Sequence, residues 1–262
     1  MNATAGGLRA HGLTLGYGDR VVSAGLDLAL PPGRFTAVIG PNACGKSTLL
    51  RALVRLQPLL SGSVDLDGRD LRNLRSREVA QRIGFLPQRN VAPEGISVTH
   101  LVRRGRYPYR TWRSAWTDAD EAAVVRSMAD TGVTELATRR VEELSGGQVQ
   151  RVWLAMVLAQ ETDVLLLDEP TTFLDIAHQY ELLGLLARLR DGGRTVVAVL
   201  HDINQACRYA DHLVAMHDGA VVAEGAPGEV MTPELVADVF GLAAHVVPDP
   251  VVGTPMVVPL PV

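Results

Sequence analysis

An α/β fold built on buried parallel strands is predicted by three observations. Short apolar runs, FTAVI (35–39), VLLL (164–167) and TVVAVL (195–200), have the length and β-branched content of strands covered on both faces. The stretch 176–190, between the last two, reads as a helix, the alternation expected of parallel strands joined by crossovers. A glycine-rich segment, Gly40-Pro-Asn-Ala-Cys-Gly-Lys-Ser47, joins FTAVI to the apolar helical stretch STLLRALVRL.

The remaining elements follow in order. LDLAL (26–30) alternates apolar and polar residues as a half-buried strand does. Pro31-Pro32-Gly33 breaks the chain before the strand 35–39. Residues 64–66 read as a strand closed by Asp67-Gly68, and 82–86 as another ending at Pro87. From about 95 to 160 the pattern is helical, with Thr117-Asp118 a helix start. Residues 213–224 read as a hairpin turned by Asp218-Gly219, a strong two-residue turn signal. Thr232-Pro233 opens a short helix as N-cap and first helical residue. The tail from Pro248 holds five prolines in 15 residues and is expected as an extended strap. There is no internal repeat.

Composition excludes several classes. With 262 residues, 47% hydrophobic and 21% charged, the chain can bury a core and is not of disordered type. A net charge of −4 gives no overall field to draw it to nucleic acid or anionic lipid. Runs such as Trp153–Ala159 are far shorter than the ~20 residues that span a bilayer. The opening MNATAGGLRA has no basic end followed by an apolar stretch, so no signal peptide is expected. Cys44 and Cys207 make no disulfide framework, and no Cys/His spacing suggests zinc. A reducing, cytoplasmic setting fits all of this.

Of the 25 basic residues, Lys46 is the one lysine; the rest are arginine. A compact ammonium suits a tight phosphate site that guanidinium does not. In G-x-x-x-x-G-K-S the backbone amides of the loop and the following helix form an anion nest. Gly40, Pro41, Asn42, Ala43, Cys44, Gly45 and Thr48 would line it. Lys46 would reach the β- and γ-phosphates, and Ser47 would ligate Mg2+. The alternative is a glycine-rich turn with an incidental lysine. Ala43 is a mild cost if its position needs φ > 0. Cys44 is either a redox-sensitive thiol or a small filler.

Far downstream, VLLLDEP puts Asp168 at the end of a strand and Glu169 just beyond it, where α/β sheets bind ligands. Asp168 can hold the Mg2+ shell and Glu169 can polarise a water. An acidic pair at an ordinary strand end is the alternative. His201 also follows a strand, TVVAVL, and precedes Asp202. The other six histidines have no such placement and read as ordinary.

Leu144-Ser-Gly-Gly-Gln148 precedes LLLDEP by a single helix. Alone it is a helix cap with a hinge. With the phosphate loop and LLLDEP it resembles the signature of ABC-transporter ATPase subunits, over residues about 8 to 247. The resemblance implies a P-loop NTPase with a RecA-like parallel-sheet core, an antiparallel β subdomain and a helical subdomain at about 89–160. Residues 1–247 would form this single ATPase domain, and 248–262 a proline-rich tail.

The resemblance also implies roles. Tyr17 matches the aromatic stacked on adenine, and Gln88 the glutamine that senses Mg2+ and water. Asp175 matches the D-loop aspartate and His201 the switch histidine. Ser145, Gly146, Gly147 and Gln148 would grip the γ-phosphate of an ATP held by a second subunit, so a homodimer closed on ATP is implied. Val149 departs from the family's usual polar residue, leaving Gln150 and Arg151 to keep the helix start polar. Ala43 stands where glycine is common.

Three longer segments (93–110, 154–183 and 196–216), with DEPTTFLDIAHQ and GRYPYR as markers, resemble ATPases of ferric-siderophore and ferric-dicitrate importers. Cobalamin and haem importers belong to the same wider group. Integral-membrane permease subunits and, indirectly, an extracytoplasmic iron-chelate binding protein are the partners implied, at the cytoplasmic face of the membrane. Catalysis would rest on Glu169, His201 and Lys46, with Ser47, Gln88 and Asp168 around the metal. A non-transport ABC ATPase and a non-hydrolysing ATP sensor are the alternatives of other classes. Arg103, Arg104, Arg106, Arg110 and Arg113 lie among Tyr107, Tyr109 and Trp112. This cluster is open to three readings: a nucleic-acid grip, a solvated face, or, as preferred, a docking surface for the permease. No nucleic-acid partner is expected.

Overall fold

The computed structural model describes residues 7–111 and 115–261. The chain opens with two antiparallel strands, β1 (Leu8–Tyr17) and β2 (Arg20–Ala29), before β3 (Phe35–Ile39). The phosphate loop and α1 (Lys46–Leu53) lead to β4 (Leu59–Leu66), β5 (Arg69–Asp70), α2 (Ser76–Arg82) and β6 (Ile83–Leu86). A helical region follows, with α3 (Val98–Arg103), α4 (Asp118–Asp130) and α5 (Gly146–Ala159). The core resumes with β7 (Val164–Asp168), α6 (Ile176–Asp191), β8 (Thr195–Val199), α7 (Ile203–Tyr209), β9 (His212–His217) and β10 (Ala220–Gly225). Two helices, α8 (Pro227–Val230) and α9 (Pro233–Phe240), precede the closing strands β11 (Ala244–Pro248) and β12 (Pro255–Pro259).

The main sheet runs β10-β9-β3-β8-β7-β6 and is parallel except for β10 at its edge. Its central strands are apolar on both faces because both are covered. Phe35, Ala37, Leu165, Leu167, Val196 and Ala198 face the layer holding α5, α6 and α7. Val38, Leu166, Val197 and Val199 face the layer holding α1 and the second sheet. The period of two along each strand sorts neighbours to opposite layers.

The second sheet is antiparallel, ordered β2-β1-β4-β5. β1 carries Leu8, Ala10, Leu13 and Leu15 inward, but the alternation slips where the register shifts between Ala10 and Leu13. Gly12 sits in that bulge at φ 54°. The broken period is why LRAHGLTLGY does not read as a strand. The helical region has its own core, including Val98, Leu101, Val124, Met128, Val152 and Ala155. Thr117 caps α4 reciprocally with Asp120.

The proline-rich tail is not a free strap. β12 pairs antiparallel with β11 in a hairpin that lies against α7. The basic cluster at 103–113 is likewise largely spent inside the molecule. Arg106 is buried, pairs with Asp120 and Glu161 at 2.9 Å each, and stacks on Tyr109. Arg103 pairs with Glu121 at 2.8 Å and stacks on Trp116. Burial raises the Tyr109 phenol, whose hydroxyl donates to Gln160 O. Tyr107 is the aromatic of this group left exposed among the described residues; Trp112 and Arg113 lie outside them. Arg106, being buried, is not available to the docking surface expected here. Among the described residues, no helix is long and apolar enough to cross a membrane.

Candidate functional site

The site begins where β3 ends. Gly40 has φ 147°, and a Cβ there would collide with the Met216 carbonyl at the end of β9. Gly45, at φ 107°, is the N-cap of α1 and gives it no side-chain cap. Ala43 does take φ 62°, the left-handed cost anticipated for it. The β9–β10 turn braces the loop from outside: the Gly219 amide donates to Cys44 O at 3.1 Å. The Cys44 side chain packs into the apolar cluster with Val38, Leu49 and Met216 and fills the underside of the loop.

Lys46 is buried, and its Nζ donates to Gly40 O at 2.8 Å and Pro41 O at 2.7 Å. The ammonium is thereby folded over the nest it would fill with phosphate. Ser47 Oγ donates to Asp168 Oδ1 at 2.8 Å. Asp168 is fully buried at the end of β7, and its Oδ2 has no hydrogen-bond partner. Burial pushes its carboxyl above the ordinary range against the pull of Ser47. A buried carboxylate oxygen without a partner, beside a hydroxyl, is a donor set that suits a hard divalent cation.

Glu169 stands at φ 54°, a strained conformation for glutamate at the mouth of the loop. Its Oε2 accepts from Gln88 Nε2 at 2.6 Å and from Thr172 Oγ1 at 3.3 Å. Its Oε1 lies 2.8 Å from His201 Nε2. Burial raises the carboxyl, but the bonds to His201 and Gln88 outweigh it and hold the group below its ordinary value. It is therefore a carboxylate at neutral pH. The strand-end residues of β7 and β8 are brought together here, with Gln88 reaching in just past β6.

Tyr17, Arg20, Val22, Asn42, Ala43, Gly45, Lys46, Ser47, Thr48 and Glu169 line one open cleft of about 330 Å³. Tyr17 is half exposed, its hydroxyl 3.3 Å from Thr48 Oγ1. Arg20 and Val22 are lining residues that sequence reasoning missed; they sit on β2, far from any motif. Ser145, Gly146, Gly147 and Gln148 do not line this cleft. They form the exposed N-terminus of α5, where Ser145 and Gln148 cap one another. Asp175 caps α6 by accepting from His178 N and Nδ1, and the backbone bond leads in holding its carboxyl low.

The profile of the ABC transporter family matches residues 24–172. The chain is 54% identical over 99% of its length to the ferric enterobactin transport ATP-binding protein FepC of Escherichia coli (strain K12), covering 96% of that protein. The chain belongs to the ABC transporter family. It is 52% identical over 94% of its length to the probable siderophore transport system ATP-binding protein YusV of Bacillus subtilis, covering 90% of it. Among solved structures, a metal-chelate type ABC transporter in an inward-facing conformation matches at TM-score 0.83 and 28% identity over 98% of both chains. The dimeric bacterial cassette MJ0796 matches at TM-score 0.75 and 28% identity over 84% of this chain and 98% of that one.

Like other ATP-binding subunits of the ABC family, this chain is an ATPase. Gln150, expected to help keep the start of α5 polar, is buried and donates to Pro170 O at 3.3 Å. α5 is thus tied to the segment that follows Glu169.

Proposed function

We propose that this chain hydrolyses ATP to drive import of an iron chelate, a ferric siderophore, through a membrane permease. The observation that carries hydrolysis is Glu169, ionised and held between His201 and Gln88 at the mouth of the phosphate loop. The chelate class rests on relatives named for enterobactin and siderophore transport.

Tyr17 takes the adenine, and the loop from Gly40 to Thr48 with Lys46 takes the phosphates. Ser47 and Asp168, with Gln88 nearby, would hold Mg2+, which would supply positive charge against the phosphate oxygens. Lys46 leaves its loop carbonyls for the β- and γ-phosphates. Glu169 accepts a hydrogen bond from the attacking water, and His201 keeps that carboxylate oriented. Oε2 already accepts from Gln88 and Thr172, whereas Oε1 meets His201 alone and keeps a lone pair for the water.

Residues 1–247 work as one ATPase unit with the helical segment 89–160 inserted, and β12 of the proline-rich tail is paired onto β11. Two copies close on ATP, each nucleotide faced by Ser145–Gln148 and Asp175 of the other copy. Phe173 and Ile176, 72% and 73% exposed beside Asp175, supply apolar surface for that closure. The dimer sits peripherally on the cytoplasmic face of permease subunits, which receive the chelate from an extracytoplasmic binding protein.

The test is uptake in cells whose only copy carries Glu169→Gln, with ferric siderophore, haem and cobalamin offered separately. Loss of ferric-siderophore uptake alone is expected. Loss confined to haem or cobalamin would move the cargo, and no loss at all would overturn the importer assignment.

A further inference from the structure

The five residues between Glu169 and Asp175 form a loop two of whose carbonyls are held by the half-buried side-chain amide of Gln179. Gln179 Nε2 donates to Leu174 O at 3.1 Å and to Thr171 O at 3.4 Å. Its Oε1 accepts from Gln205 Nε2 at 2.8 Å. Gln205 is 4% exposed and lies in the first turn of α7, where its amide donates to Asp202 Oδ1. Asp202 follows His201, and His201 contacts Glu169. A closed circuit results: α7 holds Glu169 through His201 and the far end of its loop through Gln205 and Gln179.

α7 is itself fixed from behind. Asn204 bonds both polar backbone groups of Val257 on β12, at 3.1 and 2.7 Å. Arg208 pairs with Asp249 through two nitrogens. An apolar pair at 179 and 205 would fill the same space without taking amides from water that must then be paired. What the amides add is direction, since they fix carbonyls that point one way.

We propose that Gln179 and Gln205 are positioning residues for ATP hydrolysis, aligning Glu169 and the Asp175 end of its loop as one body with α7. The inference rests on Glu169 as the group that acts on water. It predicts that losing the relay slows turnover without weakening nucleotide binding.

The test uses the full chain with Gln179→Met, Gln205→Met and the double variant, which keep side-chain length and remove the amides. Turnover, affinity for a fluorescent ATP analogue and melting temperature are read on each. Each single variant is expected to lower kcat about two- to tenfold, the worth of one such bond. Nucleotide Kd is expected to stay within about twofold, and the double variant to be no slower than the slower single. Wild-type kcat in both singles would overturn the proposal. So would kcat losses matched by losses in affinity, or additive losses in the double variant. If Gln205→Met does not fold, half-buried Gln179→Met decides alone. Glu169→Gln measured alongside separates the two assignments. If it abolishes turnover while the glutamine variants are unaffected, only the relay fails. If it retains turnover, the role of Glu169 fails and takes the relay with it.

Discussion

Two helix N-termini carry the proposed phosphate contacts, and they are built in opposite ways. α1 starts at Gly45 with no side-chain cap, and Lys46 and Thr48 in its first turn are buried. α5 starts at exposed Ser145 inside a complete capping box with Gln148. The first end has no side-chain cap and fixes its backbone through Gly40, which admits no Cβ, and Gly45 at φ 107°. The second satisfies two of its amides, those of Ser145 and Gln148, with its own side chains. An end of the first kind is committed to an anion within its own chain. An end of the second kind has to trade a cap for an incoming phosphate, which suits a contact made and broken in each ATP cycle.

The contrast can be broken at either end. The largest effect on turnover is expected from Lys46→Ala, which removes the charge that would meet the phosphates. Turnover should fall about 100-fold or more, and ATP-dependent dimerisation should vanish in size-exclusion chromatography, with the melting temperature unchanged. Loss of the folded state would instead make Lys46 structural, through its bonds to Gly40 O and Pro41 O. Gly40→Ala should destabilise the fold by about 2–4 kcal/mol, since its Cβ meets the Met216 carbonyl at φ 147°. Chemical denaturation measures this, and a loss below about 0.5 kcal/mol would show that the loop is not fixed by sterics. Ser145→Ala should cost the fold less than Gly40→Ala does, about 1 kcal/mol for a lost cap. Its effect on ATP-dependent dimerisation should be the larger one. Unchanged dimerisation would break the comparison, because the second N-terminus would then grip nothing.

Much of this site is legible in the residues alone. Lys46, Ser47, Asp168, Glu169 and His201 announce themselves because a phosphate nest and strand-end carboxylates need fixed residue types at fixed short spacings. Thr117 and Thr232 are helix starts for the same local reason. The basic, aromatic segment from Arg103 shows where such reading stops. Its composition suggests a free interaction surface, yet Arg106 is consumed by Asp120 and Glu161. The pairing partners lie on other elements, and no spacing rule connects them.

What the sequence determined by itself is the short-range chemistry: buried strands with apolar runs, caps, turns and the phosphate loop. Each depends on residues within a few positions of one another, where backbone geometry leaves little choice. Only the tertiary structure decided that Gln88 and His201 take opposite oxygens of Glu169, that Asp168 keeps one oxygen without a partner, and that Gly219 braces Cys44. It also turned the proline-rich tail into a hairpin that pins α7 through Asn204 and Arg208. These contacts join segments distant in the chain. They exist because the parallel sheet delivers the ends of β3, β6, β7 and β8 to one edge, an arrangement set by the whole core.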